Sequence, residues 1–129
     1  MAAMSIRATF QPKIDEFIST LEEFATGSYL KEDEKDLWDE PFDASVLPAL
    51  KAILERYMDS LDKLSQGPDQ DTLNAVAQST LDELDDFNTS NHDAVIEPEE
   101  KQEISELLFD AARLTGADDL SLEAFPEFE

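Results

Sequence analysis

Side chains suited to acid–base or nucleophilic chemistry are few in this chain and poorly placed for it. The 129 residues contain a single histidine, His92, and no cysteine. His92 lies in a polar run with Ser90 and Asp93, but a nucleophile needs a base that the fold holds beside it, and polar loops often contain a histidine without a chemical role. The lack of cysteine excludes disulfides and thiolate chemistry. We therefore predict that the chain is not an enzyme and has no catalytic residue.

Carboxylates are abundant, but their spacing does not fit a dedicated metal or cofactor site. The window 32–43 has the length of an EF-hand calcium loop. Its sixth residue, however, is Leu37, where that loop needs glycine, and its last residue is Asp43 in place of a bidentate glutamate. A di-iron bundle needs a Glu-x-x-His motif on each of two helices, which one histidine cannot supply. The three glycines are not clustered, so a phosphate-binding loop is excluded. We predict no metal and no cofactor.

Apolar residues recur at helical spacing along most of the chain, which predicts an all-α fold. The predicted helices cover about residues 11–26, 45–66, 70–87 and 98–115. In the first helix, Pro12 marks the start and Gly27 lies just past the end. Phe24 of the first helix and Leu114 of the fourth are both assigned to buried apolar faces. The fold class that follows is a four-helix bundle or a related irregular helical array.

Residues with capping propensity mark the ends of the later helices. Ser45 is the predicted N-cap of the second helix, and Asp69 or Asp71 that of the third. Pro98 opens the fourth helix and Gly116 closes it. These signals lie where the apolar periodicity starts and stops, so both kinds of pattern predict the same elements.

The chain length suits a single domain spanning residues 1–129. Residues 1–10 precede the first predicted helix and are expected to be flexible. A long acidic loop follows that helix, and residues 117–129 form a tail that either packs on the bundle, which we favour, or serves as a peptide ligand. No segment approaches the roughly 18 apolar residues of a membrane span, and the first residues lack a signal-peptide pattern. We expect a cytoplasmic protein.

Negative charge is the dominant property of the chain. The chain contains nine Lys and Arg residues and 32 Asp and Glu residues, which gives a formal net charge of −23 at pH 7. This charge opposes direct binding to nucleic acid and to anionic membranes, because both are themselves negatively charged. It favours a basic protein as the partner.

Two acidic clusters are the candidate partner-binding surface. In the loop 32–43, Trp38 adds an aromatic side chain of the kind enriched in binding hot spots. In the third helix, Asp82 and Asp86 lie opposite the apolar face and Asp85 lies at its edge. The predicted partner-binding residues are Glu32, Asp33, Glu34, Asp36, Trp38, Asp39, Glu40 and Asp43 in the loop and Asp82, Asp85 and Asp86 in the helix. The alternative is that these acids only keep the surface hydrated.

In its size, its charge, its lack of cysteine and its helix pattern, the chain resembles the small acidic helical immunity proteins that are paired with bacterial toxins. The resemblance extends over the whole chain and assigns no individual residue. It implies a non-enzymatic protein that binds and neutralises a basic toxin domain. Two alternatives stay open: a DNA mimic that occupies DNA-binding proteins, and an adaptor or regulatory helical bundle.

Overall fold

The computed structural model describes residues 5–27, 42–64 and 67–118, together with residues 122, 123, 125, 126 and 128. Within these residues the chain is helical and contains no strand, which confirms the predicted all-α class. The helices are α1 (Ile6–Thr26), α2 (Leu47–Asp62, preceded by a 3-10 turn at Ala44–Val46), α3 (Gln70–Ser90) and α4 (Pro98–Arg113).

Helix α1 begins at Ile6 and contains Pro12 in its interior, so the prediction that Pro12 starts the helix was wrong. The reason is a contact from another helix. The carboxylate of Asp62, the last residue of α2, accepts hydrogen bonds from the first two N–H groups of α1 at 2.7 and 3.1 Å. The hydroxyl of Ser5 accepts a third at 3.0 Å. Because these amides are satisfied, residues 6–10, expected to be flexible, are helical.

The second helical segment begins with Asp43 and not with Ser45. The carboxylate of Asp43 accepts a hydrogen bond from the backbone N–H of Ser45 at 2.9 Å and caps the 3-10 turn that leads into α2. The prediction of Ser45 as the cap was wrong because this added turn moves the capping position towards the N-terminus. Pro48 lies in the first turn of α2, where proline is tolerated.

Helix α3 begins after its cap Asp69 and continues to Ser90, beyond the predicted end near residue 87. Asn88, predicted to lie in a loop, is only 2% exposed. Its amide group donates to the carbonyl of Ile96 and accepts from the N–H of Ile96, both at 2.9 Å. Asn88 therefore ties the end of α3 to the residues that precede α4.

The backbone after α3 turns through two left-handed residues, His92 (φ 62°) and Asp93 (φ 55°). The N–H of His92 donates to the carbonyl of Thr89, and the N–H of Asp93 donates to that of Asn88, at 3.1 and 2.8 Å. This pair of bonds is the Schellman motif, in which glycine usually takes the place that His92 occupies here. The lone histidine is thus exposed and ends a helix at some cost in backbone strain.

Helix α2 lies at the centre of the fold and contacts the three other helices. Its Leu50, Leu54 and Met58 are completely buried. Tyr57 is buried as well, and its hydroxyl donates to the backbone carbonyl of Leu108 in α4 at 2.7 Å. Burial raises the pKa of Tyr57 far above its ordinary value, so the phenol stays protonated and keeps its role as a donor.

Two residues assigned to the apolar faces are exposed instead: Phe24 by 42% and Leu114 by 51%. Phe24 lies in the last turn of α1, which extends past the start of α2 when the two helices are aligned by their ion pairs. Leu114 is the cap residue that follows α4. Both residues lie at the C-terminal end of their helices, where the apolar spacing continues although the side chain is partly exposed.

The described residues of the tail pack on α4. Leu122 and Phe128 are buried, and the N–H of Phe128 donates to the hydroxyl of Ser105 at 2.8 Å. The rings of Phe109 and Phe125 meet edge to face, with their centroids 5.7 Å apart. These contacts agree with the packed tail that we favoured over a free peptide ligand.

Candidate functional site

Most of the predicted acidic loop lies outside the described residues. The loop positions for which no structural statement is made are Glu32, Asp33, Glu34, Asp36, Trp38, Asp39 and Glu40. Asp43 is described, and its carboxylate caps the turn before α2. Hydrogen bonds from Ser45, the backbone N–H first, lower the pKa of Asp43 below its ordinary value. Its position is therefore accounted for by helix capping, whatever else it binds.

The three predicted site residues of α3 lie together on its solvent side. Asp82, Asp85 and Asp86 are exposed, whereas Leu81 and Leu84 are buried beneath them. One turn separates Asp82 from Asp86, a rise of about 6 Å along the helix. The helix as a whole contains five acidic residues and no basic one. The structure thus concentrates like charge on one exposed face.

Basic residues concentrate instead where α1 meets α2. Arg7 pairs with Glu55 at 3.3 Å and with Asp59 at 2.8 Å, and Lys51 pairs with Asp15 at 3.0 Å. Because residue numbers rise along α1 while their partners' numbers fall along α2, the two helices are antiparallel. Along this α1–α2 seam, Arg7 and Lys51 therefore neutralise much of the charge of the three carboxylates that they contact.

A single ion pair reaches α3 within the described part of the chain. The guanidinium of Arg56 in α2 lies 2.8 Å from the carboxylate of Glu83, and both side chains are exposed. Exposed pairs of this kind stabilise a fold by about 0–1 kcal/mol and leave most of the field intact. Asp82, Asp85 and Asp86 form no ion pair there, although Asp82 accepts a hydrogen bond from the side-chain amide of Gln78 at 3.1 Å.

A further acidic group at the start of α4 was missed by the sequence analysis. Burial, together with smaller effects of the neighbouring carboxylates of Glu97, Glu103 and Glu99, raises the pKa of Glu100 above its ordinary value. Acids in the first turn of a helix also complement its dipole, but these extend well beyond the first turn. The signal was available: Glu99, Glu103, Glu106 and Asp110 share one face at helical spacing.

Helices α1 and α4 enclose an open groove of about 350 Å³. Phe17 and Ile104 form its apolar floor, and carboxylates from both helices form its rim. Sequence reasoning could not find this groove, because it depends on which face of α1 lies beside α4. Among the residues whose structure is described, no three acidic or histidine side chains converge on a position that could hold a metal ion.

Comparison with known proteins returned no match: no family model, no curated protein and no solved structure is significantly similar to this chain. Of the helices in the described ranges, none is both long and apolar enough to cross a bilayer.

Proposed function

We propose that the protein is a non-enzymatic inhibitor that binds a basic protein, and that this partner is a bacterial toxin which the protein neutralises in the cytoplasm. The observation that carries the proposal is the exposed face of α3. Five acidic residues and no basic one lie on that helix, and Asp82, Asp85 and Asp86 all point to solvent.

The spacing of the acids on α3 slightly destabilises the free protein and favours a complex with a basic partner. Asp82 and Asp86 are one turn apart, and a like-charge pair at that spacing costs a helix about 0.2–0.5 kcal/mol. A basic surface placed against α3 would add an attraction to both carboxylates that outweighs this repulsion. The field of an acidic face also accelerates encounter, from about 10⁵–10⁶ M⁻¹s⁻¹ for uncharged surfaces to as much as 10⁸–10⁹ M⁻¹s⁻¹ at low salt.

Toxins that act on nucleic acids or nucleotides fit this description best. Their active sites must attract phosphates and so carry lysine and arginine. An acidic protein that covers such a site both blocks the substrate and satisfies the basic side chains. The buried Phe128 disfavours the alternative of an adaptor that acts through a free tail, because that residue is already engaged on α4.

The test is a binding titration against a basic toxin domain, taken from a neighbouring gene if one there encodes such a protein, with association rates measured at about 50 and 300 mM salt. We expect tight binding whose association rate falls steeply with salt. The double variant Asp82→Asn, Asp86→Asn should slow association about tenfold at the lower salt. The matched control Glu22→Gln, Glu23→Gln removes the same charge from exposed positions on α1, away from the acidic face of α3, and should change the rate much less.

The outcome that contradicts the proposal is the absence of binding, or binding that does not change with salt. Competition with duplex DNA for several unrelated DNA-binding proteins distinguishes the remaining alternative. A one-partner inhibitor displaces DNA from its own toxin only. A DNA mimic displaces DNA from all of them with similar affinity.

A further inference from the structure

The groove between α1 and α4 combines an apolar floor with an acidic rim. Phe17 is 9% exposed and Ile104 is 1% exposed, and Leu107 beside them is partly exposed. These side chains form the floor. The carboxylates along the rim are Glu16, Glu103, Glu106 and Asp110.

The rim carboxylates are not neutralised by the fold. Among the described residues, none of the four takes part in an ion pair or a side-chain hydrogen bond. The one basic residue that lines the groove is Lys13, whose ammonium lies 5.1 Å from the ring centroid of Phe10. The groove therefore carries a net negative charge next to an apolar surface.

One exposed apolar side chain, that of Leu114, lies beyond the groove along α4. Leu114 follows Leu107 by two helical turns on the same face, and its backbone is still in the right-handed helical region. Its side chain is 51% exposed. An apolar strip that runs from Ile104 to Leu114 would cover about 15 Å of helix. Anchors at i, i+4 and i+7 of a bound helix span about 10.5 Å, so a strip of this length accommodates three of them.

We infer that this groove binds an amphipathic helix of the partner, one whose apolar stripe is flanked by lysine or arginine. The inference rests on the proposed function and names a second contact surface for the same partner. At about 350 Å³ the groove lies at the lower end of ligand-pocket volumes, so it holds anchor side chains and not a whole helix.

The charge of the rim selects the occupant. A neutral or acidic helix seated here would remove water from four carboxylates without giving them a cation, which is costly. A helix with basic residues on both sides of its apolar stripe pairs with the rim and fills the floor. Charge and apolar area must therefore occur together in the ligand.

The probe that tests this is a fluorescent peptide of about 20 residues, built only from leucine and lysine with the leucines on one helical face. A second peptide has the same composition in an order that scatters the leucines. Fluorescence anisotropy then measures both affinities at low salt. We expect the amphipathic peptide to bind at least tenfold more tightly than the scattered one.

Variants locate the site. The double substitution Glu103→Gln, Asp110→Asn should weaken the amphipathic peptide about tenfold, whereas the control Glu22→Gln, Asp71→Asn changes it less than threefold. Leu114→Ser, an exposed change that leaves the core intact, should reduce the preference for the amphipathic over the scattered peptide. Peptide-induced NMR shifts should concentrate on the groove faces of α1 and α4.

Equal binding of both peptides, or equal weakening by the rim and control variants, overturns the groove as a binding site. The proposed function stands in that case if the toxin domain still binds with a salt-dependent rate. If the toxin domain fails to bind, the proposed function falls, and tight, groove-directed binding of the amphipathic peptide would then support the groove alone.

Discussion

Replacing Asn88 with alanine tests the tie between α3 and the residues before α4. Two hydrogen bonds of 2.9 Å join the Asn88 side chain to the backbone of Ile96, and Ile96 itself is 1% exposed. Removing the side chain leaves two buried backbone groups, the N–H and the carbonyl of Ile96, without their partner, at a cost of about 1–3 kcal/mol each and less where water reaches them. We expect a loss of about 3 kcal/mol in the free energy of unfolding, and a fall in melting temperature of roughly 10 °C.

Urea unfolding followed by far-UV circular dichroism measures this loss. Asn88→Asp keeps the size of the side chain and the acceptor for the N–H of Ile96 but loses the donor to its carbonyl. A carboxyl buried there has a raised pKa, so its charge destabilises the fold above that pKa and the deficit shrinks as the pH falls through it. The control Thr89→Ala, at an exposed neighbouring position, should change the free energy by less than about 0.5 kcal/mol.

The reasoning about Asn88 is refuted if the alanine variant loses less than about 1 kcal/mol, since the freed groups of Ile96 would then have found other partners. It is also refuted if the deficit of the aspartate variant does not depend on pH. Either result would mean that the Asn88 side chain is not what holds the end of α3 in place.

Four further results are expected. His92→Gly should raise the free energy of unfolding by roughly 0.5–1 kcal/mol because it relieves a left-handed backbone, while Asn91→Gly, at φ −110°, should not. Glu100→Gln should raise the melting temperature at pH 7, because the raised pKa of Glu100 means that its ionised form disfavours the fold, and this gain should vanish below about pH 4. Added salt should raise the melting temperature by screening the repulsion within a chain of net charge −23. Truncation after Gly116 should lower it, because Phe128 and the rest of the packed tail are lost; an unchanged melting temperature would show that the tail contributes nothing to stability.

The helices themselves could be predicted from the sequence, because burial repeats every 3.6 residues and capping residues mark many of the ends. The cap before α2 was misplaced by only two residues, from Asp43 to Ser45, but the errors at α1 and α3 occurred where an end is completed by a residue outside the helix. Asp62 supplies the cap that lets α1 begin at Ile6, and the backbone of Ile96 satisfies Asn88. Neither pairing leaves a local signal, since each depends on how separate segments meet.

Some features of the candidate surfaces could likewise be predicted from local sequence, and others could not. The exposure of Asp82 and Asp86 follows from angular position on one helix, and the structure places both in solvent. The acidic face of α4 follows from the same angular reasoning, although it was not among the predicted surfaces. The groove could not be predicted from the sequence, because Phe17 and Ile104 come to line one groove only through the packing of α1 beside α4.

The cap on α1 also bears on the order in which the chain can fold during synthesis. Asp62 follows Ile6 by 56 residues, so the first amides of α1 stay without their partner until all of α2 has been made. An isolated helix of 21 residues with proline in its interior is marginal in water. The nascent N-terminal segment therefore depends on α2 to become a stable helix, and a chain interrupted before Asp62 lacks the residue that completes its first element.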